Sequence, residues 1–198
     1  MKKFISIWLI SIFILIGCEQ SNSEKSNSIK EAILTNREVA ILDTVADKSF
    51  AFDYRISGYK EVAIWLEKYE SGELVDDKVA WMSGGIDEKG TILFTTTNQA
   101  DNEPSSSYYI GILSDSGTVS GSGSEDFPDG IPNMMSTWGS LSEKTITDSE
   151  IVLAAICYSD NEHGMSGLTT SFFEDPASHM SDLKEYDVAY LLKAEFKK

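Results

Sequence analysis

Basic charge is scarce in this sequence. Its 198 residues hold 16 Lys and Arg against 32 Asp and Glu, a net charge of -16. Residues 38–198 are more lopsided, with 29 acidic against 11 basic side chains. Electrostatic binding of nucleic acid or anionic lipid needs clustered Lys and Arg, so the composition argues against a basic binding face. Histidine is scarcer still. The two histidines, His163 and His179, form neither H-x-x-x-H nor H-E-x-x-H spacing, the patterns that place zinc ligands on one helix face. No G-x-S-x-G elbow occurs, because residues 117–121 set the serine one place late. No S-x-x-K falls on a plausible helix start, and no Lys follows a glycine loop in the manner of a phosphate cradle. Acids are plentiful, which makes any single carboxylate pair weak support for glycoside hydrolysis. A long apolar span is also lacking. Residues 4–16 are apolar except for Ser6 and Ser11, but 13 residues fall short of the roughly 20 that cross a bilayer as a helix.

What the N-terminus does contain is a charged start, Lys2 and Lys3, then that apolar run, then Leu15, Ile16, Gly17 and Cys18. The arrangement reads as the core of a secretory signal. Its end resembles the lipobox of bacterial lipoproteins, in which a branched apolar residue and a small residue precede an invariant Cys. The resemblance implies that Cys18 carries a thioether-linked diacylglycerol and becomes the mature N-terminus. It covers the first 18 residues and says nothing of the domain behind them. Two or more acyl chains hold a protein stably on a membrane where one does so only marginally, so the expected location is extracytoplasmic, anchored to the cell membrane of a bacterial envelope. Glu19 is not the Asp that resembles the inner-membrane retention signal of Gram-negative lipoproteins, and the short Lys-Lys start and Ile/Phe/Lys-rich signal favour a Gram-positive cell.

The division that follows is signal peptide 1–17, tether 18–37 and one domain 38–198. Residues 19–28 have no apolar side chain and are rich in Ser, Asn and Glu; such a segment buries too little surface to offset its ordering entropy. Residues 29–37 read as a short helix or the lead into the first strand and are taken as the end of the tether. With Cys18 lipidated, Cys157 has no cysteine partner, and the domain must be held by its core, which about 160 residues supply. Cys157 lies in the most apolar stretch of the chain and reads as a small buried hydrophobe.

The domain reads as mainly β. Phe50, Phe52, Tyr54 and Ile56 alternate with polar or small residues over 49–57, and Val62, Ile64 and Leu66 share one face over 61–69. That period marks half-buried strands. Further strands are expected at 78–82, 91–97, 108–113 and 186–196, with 39–42 as a first member, and turns at 70–73, 83–85 and 87–90. Residues 151–158 are apolar throughout, the length of a strand buried on both faces. Seven or more short strands predict an antiparallel β-sandwich, immunoglobulin-like or jelly-roll, with little helix beyond a turn near 176–185.

Three places are candidates for chemistry. Residues 114–130 hold Asp115, Glu125, Asp126 and Asp129 among glycines. No cofactor is predicted for the chain, and a solvated loop is the ordinary reading here. Calcium is the alternative, since carboxylates on flexible backbone wrap hard cations, although the spacing fails the EF-hand pattern. Asp160, Glu162, His163, Glu174, Asp175 and His179 are zinc-ligand types that nothing in the sequence brings together. The aromatic set Trp65, Trp81, Trp138, Tyr69, Tyr108 and Tyr109 is core or, where exposed, a surface for sugar rings or a partner's apolar patch. Met134 and Met135 beside Trp138 make that segment the preferred adaptable contact, with Asp126 and Asp129 near it in sequence. The function expected is a lipid-anchored envelope protein whose sandwich binds another envelope protein or a glycan. The alternatives are an envelope hydrolase using carboxylates or a metal, and a regulatory or structural lipoprotein.

Overall fold

Alternation in the sequence sorts the chain onto two antiparallel sheets. The computed structural model describes residues 27–99, 105–126, 134–147 and 149–198. In chain order the elements are β1 (Ser28–Glu31), α1 (Asn36–Val45), β2 (Lys48–Arg55), β3 (Glu61–Glu70), β4 (Glu73–Gly85), β5 (Lys89–Gln99), β6 (Ser105–Ser114), β7 (Gly117–Asp126), β8 (Met135–Ser140), β9 (Glu143–Thr145) and β10 (Ile151–Ser159). Two short helices, α2 (Thr170–Glu174) and α3 (Pro176–His179), a 3-10 helix (Met180–Glu185) and β11 (Val188–Lys197) complete the described chain. The first sheet runs β7-β6-β5-β2-β1-β9 and the second β4-β3-β11-β10-β8. They pack as a sandwich, as the alternation predicted.

The inner faces supply the core. Phe52 pairs in register with Ile92, and Phe94 with Ile110, while Ile64 pairs with Ala194 and Leu66 with Leu192. Residues opposite one another in a ladder point to the same face, so these rows meet between the sheets. Rings bridge the gap: Tyr108 and Tyr190 centroids are 5.6 Å apart, and Tyr54 meets Phe196 edge-on at 5.7 Å. The second sheet is covered on its outer face too. The connection from β10 to β11 crosses it and buries Phe172, Phe173 and Leu183. Gly139 of β8 lies under Phe173, whose ring would be 3.3 Å from a Cβ at that position. This second cover is why every residue of β10 is buried, as its unbroken apolar run foretold. Cys157 is buried within it and free.

Three expectations need correction. Residues 29–37, read as tether, contain β1, which pairs with β2 and β9 inside the first sheet, so the described domain begins ten residues before position 38. Residues 39–42, read as a strand, belong to α1. Thr35 and Glu38 form a reciprocal capping box: the Glu38 N–H donates to Thr35 Oγ1 at 3.3 Å, and the Thr35 N–H donates to Glu38 Oε2 at 2.7 Å. Two orphan donors are satisfied and the helix is started; the Thr35 N–H and the Thr35 hydroxyl, both donating to Glu38 Oε2, hold the exposed Glu38 carboxyl below the usual carboxylate range. Residues 114–126, read as a flexible loop, form a turn and then β7. The strand was hidden because it carries glycine and serine where a strand usually carries apolar residues. It has to be small. Across the seam between the sheets, a Cβ on Gly123 would stand 2.7 Å from the Val79 carbonyl oxygen of β4, inside van der Waals contact.

Candidate functional site

Trp138 lies on β8, the last strand of the second sheet. It pairs with Ile156, so its ring is on the inner side of that sheet, but among the described residues no further strand shelters it and 55% of it is exposed. Lys48 Nζ, from the first residue of β2, stands 4.4 Å from the centre of its ring. A cation over an exposed indole stabilises by about 0.5–1 kcal/mol. The same ammonium is 3.1 Å from Asp47 Oδ2. Met135 begins β8 and is exposed, whereas Met134 is partly buried against the core. Trp138 and Met135 share β8, but three residues apart on a strand they point to opposite faces of the sheet, so the structure does not gather them into one surface.

Asp126 is elsewhere. It ends β7, the outermost strand of the first sheet, and β7 packs against β4, at the opposite side of the second sheet from β8. Asp129 lies outside the described residues. Of the other aromatics, Trp65, Tyr69 and Tyr108 are buried, while Trp81 and Tyr109 are exposed.

Lys48 also connects this edge to α1, which ends three residues before it. The helix lies beside the outer face of the first sheet. Between them is a cavity of about 390 Å³ lined by Ile33, Leu34, Ile41, Leu42, Leu93 and Leu113 among others. Next to it, sharing Asp53, Thr91 and Leu113, is a recess of about 550 Å³ where Lys30, Arg55 and Lys89 face Asp53, Asp115 and Glu143. Lys89 and Asp115 pair at 3.3 Å. Three cations against three carboxylates leave no excess of either sign, so the recess does not select an anion.

Sequence reasoning missed a set of buried charges. Lys68 follows Val62, Ile64 and Leu66 on the inward face of β3. Its ammonium bonds Glu125 and lies 3.2 Å from Glu70, and the Tyr190 hydroxyl donates to Glu125 Oε2 at 2.9 Å. Burial pulls the Lys68 pKa down, and the two carboxylates outweigh it, so it is raised. Burial, with Tyr108 and Glu125 beside it, raises the Tyr190 phenol far above its ordinary value. On the outer face of the same sheet Glu67 accepts from Trp65 Nε1 at 3.0 Å and from the Tyr69 hydroxyl, and Lys193 is 2.9 Å away. These groups are engaged with one another, as buried charges must be, and they hold the sheet rather than offer themselves to a substrate. The one signal in the sequence was a lysine continuing an apolar face.

Among the described residues no group of three or more His, Cys, Asp or Glu is placed to hold a metal ion. His179 Nδ1 is 3.3 Å from Asp182 Oδ2, and His163 is exposed in the loop after β10. Of the acids read as calcium ligands, Asp115 pairs with Lys89 and Glu125 with Lys68. Burial pushes the Cys157 thiol up to about 12, which leaves it protonated and unsuited to nucleophilic work.

The family model described as the YgaN domain matches residues 28–196, from the first residue of β1 into the last strand. The chain belongs to the YgaN domain family. The YgaN match takes in β1 and α1, so both belong to the family's domain. No curated protein and no solved structure matches the chain.

Proposed function

We propose that this YgaN-domain chain is a lipid-anchored protein of the bacterial envelope, held outside the membrane through Cys18, and that its sandwich is a binding module. The anchor rests on Leu15, Ile16, Gly17 and Cys18 following a charged start and an apolar run. The binding reading rests on one observation: Trp138 stands exposed on the last described strand of its sheet with Lys48 across its ring. An exposed indole beside a cation suits either the edge of a sugar ring or an apolar side chain of a partner protein. Among the described residues no strand pairs with the far side of β8, an edge that an extended segment can meet.

The test places a photo-crosslinking side chain at position 138 in the intact envelope, with position 81 as control. Trp81 is equally exposed, at 54%, but sits on β4 at the other side of the second sheet. A dominant adduct from 138 that is missing from 81 is the expected result. The same products from both positions, or nothing above background, would remove the binding reading.

A further inference from the structure

The helix α1 buries none of its residues, although helices in proteins are stabilised chiefly by packing an apolar face. Its inner side faces a pocket. Ile33 and Ile41, 93% and 54% exposed, line the cavity between α1 and the outer face of the first sheet, and Leu93 of β5 and Leu113 of β6 form its floor. Aliphatic walls across about 390 Å³ make a site near the lower end of the roughly 300–1,000 Å³ range of small-molecule pockets.

We propose that this pocket takes one acyl chain of a zwitterionic phospholipid, with the headgroup in the adjoining recess. The lining selects hydrocarbon. Of the polar side chains on the wall, Glu38 is held in the capping box, and Thr91 Oγ1 donates to Asp53 Oδ1 at 2.7 Å. A peptide would bring N–H and C=O groups that walls of Ile and Leu do not pair. A hydrocarbon chain brings none.

The charge beside the pocket selects the head. The recess shares Asp53, Thr91 and Leu113 with the pocket, so it begins where an acyl chain ends. There Lys30, Arg55 and Lys89 face Asp53, Asp115 and Glu143. A head of one sign meets like charge on one side, whereas a phosphate joined to an ammonium meets opposite charge on both. The Lys89–Asp115 pair opens at little cost, because its side chains are 61% and 75% exposed. The path of the chain brings the lipid near. Ser28 lines the recess, so the segment after Cys18 enters the described domain at this mouth. Ten residue steps from Cys18 to Ser28 span at most about 35 Å, which keeps the recess close to a bilayer and its local lipid concentration high. That last argument rests on the anchor proposed at Cys18; the first two do not.

The experiment adds lysophosphatidylethanolamine, with a photoreactive group in its acyl chain, to whichever cell fraction holds the full chain. Peptide mass spectrometry maps the adducts. They are expected on the peptides bearing Ile33, Ile41, Leu93 and Leu113, and not at Leu74 and Val75 of β4, which are about as exposed as Ile41, at 51% and 50%. Unlabelled lysophosphatidylethanolamine is expected to displace the probe, and lysophosphatidylglycerol, whose head is anionic, to do so about ten-fold less well. Ile41→Gln puts an amide among the hydrocarbon, and Leu113→Trp fills the junction of pocket and recess. Both positions are exposed, so the sheets are expected to keep their hydrogen-exchange protection while labelling falls about ten-fold. Labelling of Leu74 and Val75 as strong as that of the pocket would overturn the proposal. So would equal displacement by lysophosphatidylglycerol, or unchanged labelling in both variants. Labelling found only in a Cys18→Ser chain would overturn it in favour of the chain's own acyl group as the occupant. Pocket labelling in a chain whose Cys18 bears no lipid would support the site and remove only the anchor.

Discussion

Raising the pH past 10 is expected to unfold the domain abruptly, with its tyrosines ionising together with the loss of structure. Burial pushes the phenols of Tyr54, Tyr108 and Tyr186 and the thiol of Cys157 up to about 12. Burial is likewise the first cause for Tyr69, Tyr158 and Tyr190, which are raised further. In the unfolded chain the phenols titrate near 10 and the thiol near 8.5. A raised pKa in the folded state means that the folded protein holds the proton longer. The stabilisation is therefore complete below the unfolded value and is lost as pH rises through the window up to the folded value. Each group removes about 1 kcal/mol per pH unit in that window. Seven such groups exhaust a typical domain stability of about 5–15 kcal/mol within one to two units. Following tyrosinate absorbance and circular dichroism on the same samples checks this. The two are expected to move together well above pH 10. Tyrosines titrating one by one near pH 10 in a folded protein would contradict it.

Glu125→Ala is expected to cost about 2 kcal/mol, below the range of roughly 3–5 kcal/mol for a fully buried ion pair because the Glu125 side chain is 22% exposed. The Lys68 ammonium, 8% exposed, would keep only Glu70 at 3.2 Å, and the buried Tyr190 hydroxyl would lose its acceptor. Replacing both charges, as Glu125→Leu with Lys68→Met, is expected to recover most of the loss, because an apolar pair of similar volume avoids desolvating either charge. Urea midpoints at unchanged slope measure both. A single variant within about 0.5 kcal/mol of the parent would show that the pair carries no structural load.

The sequence made the strands with apolar alternation legible. Phe50, Phe52 and Tyr54 announced β2, and the unbroken run at 151–158 announced a strand covered on both sides, which the crossover bearing Phe172 and Phe173 supplies. Where a strand buries its face against backbone, that signal disappears. On the inner face of β7 Gly123 is bare because β4 comes too close there for a side chain, and the serines of β7 alternate onto its exposed face. α1 was masked for another reason: four apolar residues at 39–42 fit a short strand as well as a helix turn, and only the Thr35 and Glu38 pairing decides between them. For the site, Trp138, Met134 and Met135 were visible as neighbours in sequence, but β8 sends Met135 to the opposite face from Trp138. Lys48, which lies over its ring from 90 residues away, and Glu125, 57 residues from Lys68, were not, because such pairs exist only once the strand order is set.

The anchor is the central claim, and the most direct measurement is the mass of the N-terminal peptide recovered from the membrane fraction of cells making the full chain. A peptide that starts at Cys18 and carries a diacylglyceryl group is expected, with a Cys18→Ser protein that leaves the membrane fraction. A mature chain that starts elsewhere, or a Cys18 without lipid, would contradict it.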